Sequence, residues 1–365
     1  MKQIFIINSL FAFFLTLSMG CYSDQSRNFE EKLSLQIAGY DYDRVAAIRD
    51  EKVTIDQAKV NFEVSNIYEL NKHVFGDEQT YEVAEIGLIP YISRYINEGF
   101  RDYTLIPVFI SRTFRHRNIF VHTDAGIETP QDLKGRKVGT PGYGMSSNTW
   151  IRGFLLDEYG IKASDFQWIE TTKSSDGGKL NAGFAKYYFG DNFPISKGPE
   201  GMDESELLLS GHCDALITAI TPKAYLEGNP QIRQLFSNAR ETEQQYFMKT
   251  GMFPIMHVVA IRTDFLEANP WLAKEMFYLF SEAKSIAYKN LESTTVSKVS
   301  LPWAQDEFEN TRSLMGSNYW KYGIEPNRKE LEAIMRYVYE QGLVKEQIGF
   351  EEMFAPSTLY LSESM

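Results

Sequence analysis

The sequence predicts an α/β protein of two lobes with a small-molecule cleft between them. Three observations carry that expectation. The chain has 365 residues, and at roughly 100–200 residues per domain this implies two domains or one large one. Short apolar runs of strand type alternate with longer helical stretches, the pattern of an α/β fold. Between two such runs stands Ser111-Arg112-Thr113-Phe114-Arg115-His116-Arg117, which interrupts the apolar pattern with three Arg and one His suited to an anionic ligand.

Composition narrows the function classes. The formal net charge of −12 argues against a nucleic-acid binder, which carries a basic patch or stripe. A small anionic ligand remains compatible, because a few Arg side chains can dominate a cleft. Most of the many Tyr, Phe and Trp residues fill a core, and a few can line an apolar pocket. The two cysteines, Cys21 and Cys213, form no C-x-x-C pair, which removes zinc-ribbon and thioredoxin-like readings. The five histidines, at 73, 116, 122, 212 and 257, form no H-E-x-x-H, so a divalent metal has no support from local spacing and would need His and carboxylates from different segments.

The first residues read as an export signal. Lys2 precedes an apolar run over 4–17, too short for a membrane span and suited to a signal-peptide core. Leu17-Ser18-Met19-Gly20-Cys21 is lipobox-like, with lipidation of Cys21 expected; the alternative is an ordinary cleaved signal with an incidental cysteine. A lipidated Cys21 would leave Cys213 without a disulfide partner in the chain. The expected organisation is a signal peptide over 1–21, a tether over 22–31, a first lobe from 32–115 plus 258–365, and a second lobe over 116–257.

Each element follows from local pattern. Leu33 to Gly39 alternates apolar and small or polar residues and ends in Gly, a strand and turn. Tyr40, Asp41, Tyr42, Asp43 and Arg44 follow, then a short helix to Ile48. Tyr81 to Ala84 reads as a strand leading to Glu85, with a helix near Pro90, a residue suited to a first turn. Thr104–Ile110 and Asn118–His122 are apolar strands on either side of the Arg-rich stretch. Thr129 to Thr140 gives a short helix, a Gly stop and a strand. The loop from Pro141 to Asn148 then opens a helix from Thr149 to Tyr159. Tyr143, Ser146, Ser147 and Asn148 at that opening offer hydroxyls and backbone N–H groups to an anion, or act as simple N-caps, and Arg152 lies one turn in. Residues 173–203 read as a polar surface insert. Helix Glu204–Leu209, strand Gly211–Ile217 and strand Pro254–Arg262 follow, then helices from Pro270 to about Asn290 and over 327–341.

The middle segment resembles the second lobe of type-2 periplasmic solute-binding proteins, on Asp132-Leu133-Lys134-Gly135-Arg136-Lys137-Val138-Gly139, the Gly142 to Asn148 loop and Leu207 to Ile217. That fold leaves the first lobe, builds the second and returns, which places the crossings at 111–118 and 253–258. A narrower resemblance spans nearly all of the mature chain. Leu33 to Ile48, Ile106 to His116, Thr123 to Gly139, Leu301-Pro302-Trp303 and Leu343 to Leu359 are similar to the 4,5-dihydroxyphthalate decarboxylase family. So are Gly251-Met252-Phe253-Pro254-Ile255-Met256-His257 and Tyr322-Gly323-Ile324-Glu325-Pro326-Asn327-Arg328. The export signal, the 142–148 loop and the 173–203 insert depart from the family pattern.

The resemblance implies non-oxidative decarboxylation of an aromatic carboxylate such as a phthalate. A phenol para to the leaving carboxylate pushes charge into the ring, an acid protonates the ring carbon, and carbon dioxide leaves. The ring holds the charge, so no organic cofactor is demanded. Arg112, Arg115 and Arg152 can clamp carboxylates with the guanidinium fork. His116 and His257 can move protons near neutral pH, or serve as a hinge hydrogen bond and a satisfied core residue. Glu85 or Asp41 can take a phenol proton or orient a histidine. Tyr40, Asp41, Arg44, Arg112, Tyr143, Ser146, Ser147, Asn148 and Arg152 are the expected substrate contacts, with Arg115, His116, His257 and Glu85 catalytic; His73, His122 and His212 are structural or solvated. The alternative is a lipid-anchored solute-binding protein that hands a small carboxylate to a transporter permease; between the two stands a cell-envelope enzyme acting on a different carboxylate. Expected partners are a small anionic ligand, a membrane through the lipid anchor alone, and a permease or a second copy of the chain as a homo-oligomer.

Overall fold

The first sheet is assembled from strands far apart in the chain. The computed structural model describes residues 32–175, 194–293, 295–296 and 298–363. The expected signal, Cys21, the tether and most of the 173–203 insert lie outside these residues. Leu33–Met365 forms one compact unit. The first half runs β1 (Leu33–Gly39), α1 (Asp43–Arg49), β2 (Ala58–Val64), α2 (Ile67–Phe75), β3 (Val83–Gly87), α3 (Leu88–Asn97) and β4 (Tyr103–Arg112). The second sheet is built from β5 (Ile119–His122), β6 (Lys137–Thr140), β7 (Gln167–Glu170), β8 (Ile195–Lys197), β9 (Ala215–Ile217) and β10 (Ile232–Gln234). Its helices are α4 (Ser146–Tyr159), α5 (Glu204–Leu209), α6 (Lys223–Leu226) and α7 (Ala239–Thr250). The chain then returns as β11 (Ile255–Arg262) and ends in α8 (Thr263–Ala268), α9 (Leu272–Leu291), α10 (Ala304–Met315) and α11 (Arg328–Glu340).

The strand orders are β2-β1-β3-β11-β4 and β10-β5-β9-β6-β7-β8. Strands β1, β2 and β3 are parallel, and β11 runs antiparallel to both its neighbours. In the second sheet β9, β6, β7 and β8 are parallel, with β5 antiparallel to β9. This is the two-lobed, type-2 periplasmic-binding-protein-like arrangement expected from the sequence. Because β11 lies wholly in the first sheet, His257 belongs to that sheet and not to the second lobe. Where the two crossing segments meet, the Thr113 amide donates to Pro254 O at 3.1 Å.

Local chemistry explains the elements that differ from expectation. Strand β4 continues through Arg112 because that guanidinium is buried among acceptors instead of meeting solvent. Pro107 is tolerated in β4 because the strand is at the sheet edge, and the edge is covered: Gly323 N donates to Pro107 O and Ala355 N to Leu105 O, both at 2.8 Å. Helix α4 starts at Ser146, three residues early, with the Asn148 amide turned back onto Thr140 Oγ1 and Gly142 O. The helix expected after Thr129 is a single 3₁₀ turn, Pro130–Leu133, closed by Asp132. The strand over 58–64 and the helices over 67–75, 239–250 and 304–315 have no counterpart among the individual elements read from the sequence.

One hydrophobic core runs through both lobes. It joins Ile86, Tyr91 and Phe109 of the first to Trp150, Phe154 and Trp168 of the second, with Ile334 and Tyr337 of α11. Full burial of a side chain of this kind contributes about 1.5–3 kcal/mol. Trp150 Nε1 donates to Ile255 O at 2.8 Å, and Gly153 lets the Tyr337 ring lie against α4. Among the described residues no helix is long and apolar enough to cross a membrane.

Candidate active site

Both sheets present their functional edge to the crossings. The C-terminal ends of β1, β3 and β4 and the start of β11 share one edge of the first sheet. In the second, Ile119 of β5 pairs with Ile217, so the C-terminal ends of the parallel strands β6, β7 and β9 also lie where the chain enters that lobe. Open α/β sheets bind ligands at such ends.

Glu85 and His257 meet there. Val259 stands opposite Glu85 and His257 opposite Gly87 across β3 and β11, so the two side chains are diagonal neighbours on one face. His257 Nδ1 lies 2.6 Å from Glu85 Oε1. The register between β11 and β4 shifts on both sides of His257, and such irregularities re-aim side chains at sites. Glu85 is buried, and its carboxylate takes two further hydrogen bonds: Tyr42 Oη donates to Oε1 at 2.8 Å and the Tyr40 amide to Oε2 at 2.9 Å. Gly39 leaves room, since a Cβ there would stand 3.1 Å from Oε2. With Glu85 accepting at Nδ1, the imidazole carries its proton on that nitrogen. No hydrogen bond engages Nε2 among the described residues, and the side chain is 18% exposed.

An aromatic and cationic shell surrounds the pair. The Tyr40 ring stacks on Tyr42 (5.6 Å) and on His257 (6.1 Å). The Arg44 guanidinium lies between the rings of Tyr42 (3.8 Å) and Trp320 (4.1 Å), with Nε on Ile110 O at 2.7 Å. Burial and the Glu85 charge push the Tyr42 phenol far up, against a hydrogen bond with Ser111. Arg115, in the first crossing, feels Glu243, Arg117 and Tyr42. Its Nη1 contacts Ala219 O at 3.2 Å and Asn118 Oδ1 at 3.5 Å, while Nε is sealed from solvent without a partner among the described residues. Burial draws this guanidinium down to about 10.

Other expected site residues are engaged elsewhere. Arg112 is consumed by Phe253 O, Lys321 O, Asn327 and a buried pair with Glu330 at 2.8 Å; it ties the crossings to the segment before α11. Arg152 bonds Gln341 and Tyr143 O and lies over the Tyr143 ring, tying α4 to the end of α11. Tyr143 is fully buried with its hydroxyl on Gln341 O. Ser146 Oγ accepts the Ile89 amide at the start of α3, Ser147 bonds Asn148, and Asn148 closes its own loop; these groups cap and brace. Asp41 is exposed and pairs with Arg49. His116 is packed on Phe154 at 4.0 Å and against Phe236 and Tyr246. Burial pulls His116 down to about 4, so it is neutral at pH 7 and has no proton to give. His73, His122 and His212 bond Thr80, the Asp124 amide and Ser210, away from the cluster.

The expected residues brought together are therefore Tyr40, Arg44, Glu85 and His257, with Arg115 within electrostatic range of Tyr42. Tyr42, Ser111 and Trp320 join them without having been singled out; for Tyr42 the available signal was its place two residues beyond Tyr40 at a strand end. Three sizeable cavities lie elsewhere. One, along α9 and α10, surrounds Lys284, whose donors are already spent on Glu363, Asn318 and Trp320 O. A second lies beside Arg152 and Gln341, and a third beside Lys137, Lys197 and His212. Among the described residues no three His, Cys, Asp or Glu side chains gather to hold a metal ion.

Comparison with known proteins adds a second line of observation. The family model described as NMT1/THI5 like matches residues 109–249. A 4,5-dihydroxyphthalate decarboxylase of Comamonas testosteroni is 33% identical over 334 residues, covering 90% of this chain and 98% of that protein. A 4,5-dihydroxyphthalate decarboxylase of Pseudomonas putida is 32% identical over 216 residues, covering 59% and 82%. The solved structure of protein AF1704 from Archaeoglobus fulgidus superposes with a TM-score of 0.50 at 13% identity, covering 85% of this chain and 98% of that one. For the periplasmic aliphatic sulphonate binding protein SsuA from Escherichia coli the TM-score is 0.49 at 14% identity, with coverages of 91% and 100%. At such identities a structural likeness concerns the fold alone.

Proposed function

Because this chain belongs to the 4,5-dihydroxyphthalate decarboxylase family, we propose that it removes one carboxyl group from a dihydroxylated aromatic dicarboxylate at the Glu85–His257 cluster. The observation that carries the residue assignment is the 2.6 Å contact between Glu85 and His257 Nδ1, which leaves Nε2 to face the substrate.

Non-oxidative decarboxylation replaces a ring carbon–carboxylate bond with a carbon–hydrogen bond. One proton enters and one carbon dioxide leaves, so no electrons are exchanged with another reagent. Protonated at Nε2, His257 delivers its proton to the ring carbon that bears the leaving carboxylate. The carbon–carboxylate bond then breaks, and its electron pair restores the aromatic ring. The para phenol supplies electron density for the first step. The Glu85 carboxylate fixes the imidazole through Nδ1–H and stabilises the imidazolium before transfer, the role of an orienting acid in a triad. Arg115 holds the retained carboxylate, and the Tyr40 ring gives the substrate ring a stacking face.

Positioned proton transfer of this kind contributes roughly 10²–10⁴-fold in rate. Purified protein is expected to convert 4,5-dihydroxyphthalate to 3,4-dihydroxybenzoate and carbon dioxide in equal amounts. His257→Ala should lower kcat by roughly 10²–10⁴-fold with KM nearly unchanged. Tight binding of the dicarboxylate by the wild-type protein without turnover, or full activity in His257→Ala, would refute the assignment.

The N-terminal pattern, an apolar run behind Lys2 ending at Cys21, supports export with lipid attachment at Cys21, which would put the reaction in the cell envelope. It also supports the competing solute-binding role beside a permease. Labelling with a fatty acid, lost in Cys21→Ser, tests the anchor.

A further inference from the structure

We infer that Tyr42 is a positioning residue: its phenol holds the Glu85 carboxylate aimed at His257, and the Arg44–Trp320 stack holds the phenol in that orientation. The assignment rests on the catalytic reading of the Glu85–His257 pair. The geometry is a chain. Tyr42 Oη donates to Glu85 Oε1 at 2.8 Å, the oxygen that also faces His257 Nδ1 at 2.6 Å. Burying a carboxylate is costly unless donors surround it, and Glu85 has three: this phenol, the imidazole and the Tyr40 amide.

The phenol in turn is fixed. Its ring has Arg44 on it at 3.8 Å, and Arg44 is trapped by the Trp320 ring at 4.1 Å and by Ile110 O. Trp320 is pinned through Nε1 to Phe109 O at 3.0 Å, and its amide donates to Tyr288 Oη at 3.0 Å. The segment before α11 therefore reaches the Tyr42–Glu85 contact through stacked rings. The titratable groups facing the Tyr42–Glu85 contact are His257 from β11, Tyr40 after β1, Arg44 from α1, Arg115 from the first crossing and Tyr322 from the segment before α11. Ser111 of β4 adds a neutral hydroxyl. Of these, Tyr42 and His257 each place a side-chain donor on the Glu85 carboxylate. With its own ionisation pushed far up by burial, Tyr42 remains a donor across the working range of pH.

Removing one donor leaves Glu85 Oε1 held by the imidazole alone, so the carboxylate aims Nδ1 less firmly. The loss of a hydrogen bond to a charged group is a roughly 10- to 150-fold effect at most. Tyr42→Phe keeps the ring, and with it the Arg44 and Tyr40 stacking. Its kcat should fall by up to that factor, with little change in KM. Loss of packing alone would lower the melting temperature and leave the Glu85–His257 contact as it is.

The experiment pairs those kinetics with nuclear magnetic resonance of the ligand-free protein, following the downfield His257 Nδ1–H signal. In Tyr42→Phe that signal should move from its wild-type position. Thermal unfolding checks that the variant is folded. An unchanged kcat with an unmoved signal would overturn the inference. If the wild-type protein turns over no dicarboxylate, the catalytic reading fails, while the resonance still decides whether Tyr42 governs the pair.

Discussion

Replacing Arg115 by Met separates a ligand clamp from a structural cation, because the two roles have opposite effects on the free protein. The Arg115 guanidinium makes one ordinary contact, to Ala219 O at 3.2 Å, and a long one to Asn118 at 3.5 Å. Its Nε is buried without a partner among the described residues, and burial lowers its ionisation to about 10. An orphaned buried donor costs about 1–3 kcal/mol, so removing it offsets the loss of the Ala219 contact. The free variant should unfold within about 1 kcal/mol of the wild type, or be more stable. Binding should move the other way. A hydrogen bond to a charged partner contributes about 1.5–3 kcal/mol, which predicts a KM, and a Kd for phthalate, roughly 10- to 150-fold higher. The assay is thermal unfolding with and without phthalate beside steady-state kinetics. A ligand at 100 times its Kd stabilises by about 2.7 kcal/mol, and that increment should vanish in the variant at the same concentration. A variant destabilised by more than about 2 kcal/mol with unchanged KM would show that Arg115 braces the crossing and clamps nothing.

Two other expectations follow from side chains that the reaction does not use. His116 is held neutral, at about 4 against 6.5, so the unfolded chain binds the extra proton between those values. Stability is complete above pH 6.5 and falls on acidification toward pH 4, by about 3 kcal/mol. His116→Phe, which keeps the stack on Phe154, should flatten this dependence in urea unfolding at pH 7 and pH 4.5, and should retain decarboxylase activity. Gly153→Ala should lower the melting temperature, although Ala normally favours a helix: the new Cβ would stand 2.3 Å from the Tyr337 ring, and overpacking of this kind costs about 1–3 kcal/mol. Tyr337 cannot yield easily, since its hydroxyl is on Asp157 and its ring meets Trp150 edge-on.

What was legible in the sequence depended on whether the signal was local. Strands β1, β4 and β11 announce themselves as apolar runs, and Glu85 and His257 stand out as ionisable groups inside such runs. Their partnership does not. They are 172 positions apart, and the β3–β11 register that joins them is a long-range fact. The same blindness inflated the list of cations. Arg112 and Arg152 look like clamps until Glu330, 218 positions on, and Gln341, 189 positions on, take their donors. His116 beside two arginines looks like a proton carrier until three aromatic rings from α4, α7 and the β10–α7 connection close over it. Tyr42 is lost among the many aromatics because its role depends on one hydroxyl direction.

The cluster also bears on why this cleft should do more than hold an anion. On the proposed reading Arg115 and the Tyr40 ring provide charge and a stacking surface, which is what an anion receptor needs. A buried carboxylate beside that site works against anion affinity: it is expensive to desolvate and repels a second negative charge. Glu85 is nevertheless kept there by three donors, with a glycine at 39 to make room and a strand irregularity at His257 to aim the ring. The expense is intelligible for a proton step. A carboxylate at Nδ1 makes the imidazole a better carrier, and it matters little whether the substrate is bound somewhat less tightly, since only interactions that strengthen on the way to the transition state accelerate the reaction. The feature least useful for binding is therefore the one most useful for turnover.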